Sequence, residues 1–285
     1  MANLLSLKRR IRAANNVSKT TRAMQMIATS KLKKAQDMTL AVRPYVEKLT
    51  AISQSLSDKS NKENTHKYLG HPEAIAPTLF IVISPDKGLC GGLIVALTRE
   101  LIAFDSNNEK NVYMTIGKRI EGAVASLQKN VAASFKFGTT LPPYDVVFPI
   151  VNIIDDHFLN GRVGSVKILS TQFLSVFSQK PKITSVLPIE FPNDKLEKSS
   201  FALFEPSLEI LLPNLLKHYL EMTIYQHLLE SFASEQASRM IAMQNATDNA
   251  HEIVEDLMLE YNKGRQEKIT NEILDIASPS FIQYE

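Results

Sequence analysis

"ASEQASRMIAMQNATDNAHEIVEDLMLEYNKGRQEKITNEI", Ala233 to Ile273, decides the fold. The stretch holds one glycine and no proline, and its apolar residues keep helical spacing throughout. A helix this long outruns what a compact domain of this size can cover, so it needs a partner of similar length. Carried back in alternating steps of four and three, the pattern begins at Leu208, Leu212, Leu215, Tyr219 and Met222. It ends at Val254, Leu257 and Tyr261. Thirteen of its sixteen positions are apolar, and a 3.5-residue repeat held over about seven heptads predicts a left-handed coiled coil. Residues 208–276 then make about 100 Å of helix. Gly264 is the weak point, costing about 1 kcal/mol relative to alanine.

The other end of the 285-residue chain carries a matching pattern. From Ala2 to Ser57 there is no glycine and one proline, Pro44. Apolar residues at Ala28, Leu32, Ala35, Met38, Val42, Tyr45, Leu49, Ile52 and Leu56 trace a narrow seam on a rod of about 75 Å. Pro44 is expected as a local bend or an absorbed kink. Residues 1–50 carry eleven Lys/Arg against two acids, a balance of +9, whereas residues 205–276 carry five basic and thirteen acidic side chains, a balance of −8. Each large apolar seam residue gains roughly 1.5–3 kcal/mol by burial. The nearest partner of similar length and opposite charge is the other end of the same chain, so the two helices are expected to pair. The alternative is a separate bundle for each helix. The Arg-rich, acid-poor start also has the composition of an organelle transit peptide. Its periodicity continues to about Leu56, so it reads as mature structure.

Between the helices the character changes. Residues 58–77 and 192–207 read as linkers, and 78–191 as a domain of alternating elements. "TLFIVIS" (78–84), "NVYMTIG" (111–117) and "VAASFKF" (131–137) are expected strands, and 93–104, 118–128 and 144–160 expected helices. Residues 165–173 and 182–190 make a late hairpin. The order implies a mostly parallel sheet covered by helices. The fold class is therefore α+β: a long antiparallel two-helix coiled coil of segments 1–57 and 208–285, with an inserted α/β, Rossmann-like domain.

Chemistry is hard to find in these residues. The turn "SPDKGLCGG" (84–92) lacks the GK[ST] of a P-loop and the spacing of a dinucleotide fingerprint. Its glycines read as packing residues. Cys90, the single cysteine, rules out an intramolecular disulfide and reads as a buried structural thiol. The six histidines show no metal-ligand spacing, and Asp155–Asp156 and Glu255–Asp256 read as solvated charges. No catalytic, cofactor-binding or metal residue is expected, and no run is apolar enough to span a membrane. The basic first helix admits nucleic acid as a partner, but it has no interleaved aromatics and an acidic helix lies in the same chain. A small α/β enzyme with helical arms is the remaining alternative.

Two stretches say more. "TRAMQMIATSKLKKAQ" (21–36) and "SEQASRMIAMQNATDNAHEIVEDLMLEYNKGRQEKITNEILDI" (234–276), with "GLCGG" (88–92) between them, closely resemble the gamma subunit of F-type ATP synthases. The resemblance covers essentially the whole chain. It implies a non-catalytic central-stalk rotor that couples proton-driven rotation of a membrane ring to conformational cycling of the catalytic beta subunits. The implied partners are the alpha and beta subunits, the epsilon subunit and the c-subunit ring. No cofactor, nucleic acid or membrane insertion is implied. The implied location is peripheral, on the cytoplasmic face of a bacterial cell membrane.

By the same resemblance Met24, Lys87, Arg239, Gln266, Thr270 and Glu272 are expected to face the beta subunits. Departures are Lys87 for the usual arginine, Leu93-Ile94 for Phe-Asn, Gly264 for alanine, and the tail "ASPSFIQYE". As a surface residue, Arg239 is expected to tolerate charge reversal better in folding than in coupling.

Overall fold

The computed structural model describes residues 4–59, 66–70, 77–105, 111–191, 205 and 207–277. The chain divides into two compact units, residues 1–27 with 240–285, and residues 28–239. The linkers expected at 58–77 and 192–207 lie largely outside the described residues.

Helix α1 spans Leu4–Lys59 and helix α5 spans Leu208–Ala277. In the smaller unit they run antiparallel. Thr21 Oγ1 lies 2.7 Å from Thr247 Oγ1 and Ser18 Oγ lies 3.2 Å from His251 Nε2, while a methyl of Leu4 sits over Gly264. Rising numbers on one helix therefore meet falling numbers on the other. On α1 the inward positions are Leu4, Leu7, Ile11, Ala14, Ser18, Thr21 and Gln25, and on α5 they are Met243, Thr247, Ala250, Val254, Leu257 and Tyr261. Both sets keep the four-and-three spacing of a coiled coil.

Two expectations about the seams need correction in the larger unit. On α1, Met38, Tyr45 and Ile52 are 38%, 49% and 52% exposed. The inward places fall one residue later, on Thr39, Val46 and Ser53. The 3.5-residue geometry keeps its phase and takes in small polar residues; Thr39 Oγ1 satisfies itself on the Ala35 carbonyl at 2.8 Å. On α5 the single seam holds only beyond Met243. Leu216 and Leu220 are buried in place of Leu215 and Tyr219, and every residue from Ser231 to Ala237 is buried. A helix buried all round is covered on more than one side, and the second cover is the sheet. Pro44 and Pro213 both lie inside helices.

The sheet has the order β3-β2-β1-β4-β5, from strands Thr78–Ile83 (β1), Val112–Ile116 (β2), Asn130–Phe135 (β3), Ser165–Ser175 (β4) and Ser178–Leu187 (β5). β1 pairs parallel with β2 and β4, β2 pairs parallel with β3, and only β5 runs antiparallel, against β4. Helices α2 (Leu93–Asp105) and α3 (Lys118–Ser126) pack on one face around Phe80, Val82, Leu97, Tyr113 and Val124, with Phe104 stacked on Phe80 at 4.1 Å. Alternate strand residues point the other way. On that side α4 (Val147–Leu159) packs on β4, and α5 bonds to it: Ser231 Oγ accepts from Thr171 N at 3.3 Å and Ser234 Oγ donates to Thr171 O at 3.2 Å. Asp155, expected to be solvated, instead accepts from Tyr68 and pairs with Lys217 at 3.4 Å.

His227 joins the same interface, its Nδ1 2.9 Å from Ser170 Oγ. Burial, with the Lys182 charge adding to it, pushes the imidazole down to about 4 from 6.5. The folded chain therefore keeps His227 neutral while the unfolded chain protonates it, so this contribution is complete above 6.5 and lost as pH falls to 4. Wild-type stability is expected to drop by up to about 3 kcal/mol over that window. Urea unfolding from pH 7 to pH 4 measures this, and a His227→Gln chain should show a flatter profile. Equal slopes for the two chains would exclude His227 as the cause.

Candidate partner-contact surfaces

The turn Ser84–Gly92 leaves the carboxyl end of β1, where the chain crosses to β2 on one side while β4 lies on the other. Open α/β sheets bind ligands at this switch point. Here the chain itself fills it. Asp86 Oδ1 accepts from Lys118 N at 2.9 Å and Phe137 N at 3.3 Å, and Oδ2 accepts from Gly138 N at 2.7 Å. Ser84 Oγ accepts from Ile120 N at 3.3 Å. The amides at the start of α3 that a phosphate would engage are thus already satisfied within the chain. Cys90 is buried beside them, and that burial pushes its thiol above its ordinary value.

Helix α5 holds the turn from the other side. Ser231, Ser234 and Ser238 share one face by their spacing. The first two bond β4, and Ser238 Oγ donates to Cys90 O at 2.6 Å. One residue on, Arg239 Nη1 donates to Glu235 Oε1 at 2.6 Å, and Nη2 donates to Lys87 O at 3.3 Å and Gly88 O at 3.2 Å. The Arg239 and Glu235 side chains are 16% and 4% exposed. This corrects the reading of Arg239 as a surface residue: its guanidinium is engaged inside the chain, so charge reversal there disturbs fold and surface together. Glu235 Oε2 is buried with no hydrogen-bond partner among the described residues. Burial raises the Glu235 carboxyl while the Arg239 charge lowers it.

The expected contact residues do not form one site. Lys87 and Arg239 meet in the larger unit, where the Lys87 side chain is exposed next to Leu89, itself 62% exposed at a φ of +62°. Met24, Gln266, Thr270 and Glu272 belong to the smaller unit. Met24 is 40% exposed. Gln266 and Thr270 sit one helical turn apart on the exposed end of α5, Thr270 Oγ1 donating to Gln266 O at 2.9 Å. Glu272 is exposed and lies 3.6 Å from Lys268.

Other residues also shape this surface, and the sequence reading missed the apolar ones. From Arg265 to Ile276 every side chain of α5 is exposed, including Ile269, Ile273, Leu274 and Ile276. The basic residues Lys8, Arg9, Arg10, Arg12, Lys19 and Arg22 of α1 are exposed too, and no ion pair among the described residues involves them. In the smaller unit the opposite charges of the two helices therefore point outward, and no ion pair among the described residues joins them. No described helix is long and apolar enough to cross a membrane.

Comparisons with known proteins match this architecture. A family model described as ATP synthase matches residues 3–280. The ATP synthase gamma chain of Dehalococcoides mccartyi is 40% identical over 281 residues, covering 97% of each chain. That of Roseiflexus castenholzii is 36% identical over 98% of this chain and 97% of its own length. Among solved structures, a chain of the Tetrahymena thermophila mitochondrial ATP synthase central stalk and c-ring aligns with a TM-score of 0.61 at 23% identity, over 80% of this chain and 99% of that one. A chain of the Euglena gracilis mitochondrial enzyme aligns at 0.57 and 16% identity, over 92% and 95%; these two likenesses bear on the fold alone. With relatives this similar over nearly its whole length, the chain belongs to the family of ATP synthase gamma chains.

Proposed function

We propose that this chain is the central-stalk rotor of an F-type ATP synthase. The observation that carries the reading is the outer surface of the smaller unit. Its seam is closed by the chain's own helices, yet the exposed side still carries large apolar residues at the end of α5 and a basic row on α1 that forms no ion pair among the described residues. A helix pair that presents apolar and basic faces to its surroundings is built to be enclosed by other proteins. The enclosing partners are the alpha and beta subunits of the catalytic head, contacted by Met24, Lys87, Arg239, Gln266, Thr270 and Glu272. The larger unit meets the epsilon subunit and the c-subunit ring, and the assembly lies on the cytoplasmic face of a bacterial cell membrane. The chain performs no catalysis. It acts by presenting unequal faces to like neighbours, so that rotation changes which conformation of each neighbour is favoured.

Reconstitution tests this. The purified chain should hydrolyse no ATP alone and should restore proton-coupled ATP synthesis to membranes whose synthase lacks its gamma chain. Binding to the catalytic head without restored coupling would leave the rotor reading without support.

A further inference from the structure

The larger unit ends at Ala28 on α1 and at Arg239 on α5, and it holds each helix close to that end by bonds to main-chain carbonyls. Lys31 Nζ donates to Thr139 O at 2.5 Å. Ser238 Oγ donates to Cys90 O, and Arg239 Nη2 to Lys87 O and Gly88 O. The turn after β3 therefore grips α1, and the turn after β1 grips α5. These turns are far apart in sequence, and their strands are not neighbours in the sheet, because β2 lies between them. A side chain joins them. Asp86 belongs to the first turn, and its carboxylate accepts from Phe137 N and Gly138 N of the second, while also taking Lys118 N at the start of α3.

We propose that Asp86 is the keystone of a collar, Lys31–Thr139···Asp86···Lys87–Cys90–Ser238/Arg239, that fixes the two helices rotationally to the α/β body, and that it is a positioning residue for coupling. This rests on the rotor reading. An apolar seam holds helices together but is non-directional, so it resists twisting weakly. Hydrogen bonds from side chains to fixed carbonyls are directional, and an ionised acceptor with three amide donors is among the stronger ties. Torque passing between body and helices is carried by these bonds. Only a carboxylate at position 86 accepts from all three, because an asparagine there would turn its NH2 toward at least one of the amide donors.

The test uses the complete synthase reconstituted in vesicles with wild-type chain, Asp86→Asn or Lys31→Met. ATP hydrolysis and ATP-driven proton pumping are read on the same preparation. Both variants are expected to lose pumping per ATP hydrolysed severalfold while hydrolysis falls less. Amide exchange should quicken together at 87–91 and 137–139 in Asp86→Asn.

In the isolated full-length chain, Asp86→Ala should unfold at least about 4 °C below wild type. Formate, a free carboxylate, should raise that midpoint where equal chloride does not. If Asp86→Asn fails to assemble, Lys31→Met alone decides, since it leaves Asp86 in place. A wild-type ratio of pumping to hydrolysis in Lys31→Met overturns the collar, as does a formate-indifferent Asp86→Ala. Failure of the wild-type chain to restore pumping would instead reject the rotor reading.

Discussion

Replacing Gly117 by alanine is expected to keep the α/β unit from folding. Gly117 caps the start of α3 at φ +101°, ψ 138°, a conformation that L side chains rarely adopt. A Cβ there would stand 1.9 Å from Ser84 O and 2.7 Å from Ser84 C, both main-chain atoms. Neither side can retreat. Ser84 N donates to Ile116 O at 2.8 Å, Gly117 N donates to Phe135 O at 2.7 Å, and Ser84 Oγ holds Ile120 N. The backbone strain costs about 1–3 kcal/mol, and relieving the overlap breaks ladder bonds across three strands. The sum exceeds about 4 kcal/mol, a large part of a domain's usual 5–15.

Gly138→Ala is the control. It has φ +85° but open space around the added Cβ, so it should show the backbone term alone. Denaturant midpoints and soluble yield distinguish the two. Equal losses for both variants would refute the steric account.

What the sequence discloses depends on how local the signal is. The strands were legible because short β-branched runs such as "TLFIVI" sit between turn residues, and both the order and the late hairpin follow from them. Helix pairing was legible from two long seams for which the sequence showed no other cover of similar length. The phase of α1 was not. A hydrophobic reading stops at the nearest apolar residue, Met38 or Ile52, whereas the coil keeps its 3.5-residue phase through Thr39 and Ser53. The all-round burial of 231–237 was hidden because the sheet that covers it comes from residues 60 and more positions earlier. Asp86 gave no local sign, since its partners at 118, 137 and 138 are brought near only by the sheet. Arg239 did give one: Glu235 four residues before it is the spacing of an intrahelical ion pair. The contact residues themselves came from resemblance, and geometry divides them between two units.

Arg239→Ala should be the most damaging substitution on the helices. It removes the donor to Glu235 and both donors to the turn carbonyls, and it leaves a carboxyl that is 4% exposed and already has one oxygen with no partner among the described residues. Taking one member from a buried pair costs about 3–5 kcal/mol, because the other charge stays behind without compensation. Glu235 has an escape. Burial already raises its carboxyl, and loss of the Arg239 charge raises it further. An acid whose folded value lies above its unfolded 4.5 binds more protons in the folded state, so its contribution is best below 4.5 and is lost as pH rises past it.

The deficit of Arg239→Ala, taken as a difference from wild type at each pH so that the His227 titration cancels, should therefore shrink on acidification. Glu235→Gln in the same chain should recover much of the loss at neutral pH, since it removes the stranded charge. Urea unfolding of the single and double variants at pH 5 and pH 7.5 measures both effects. A deficit independent of pH, and unrelieved by Glu235→Gln, would place the loss in the turn carbonyls alone.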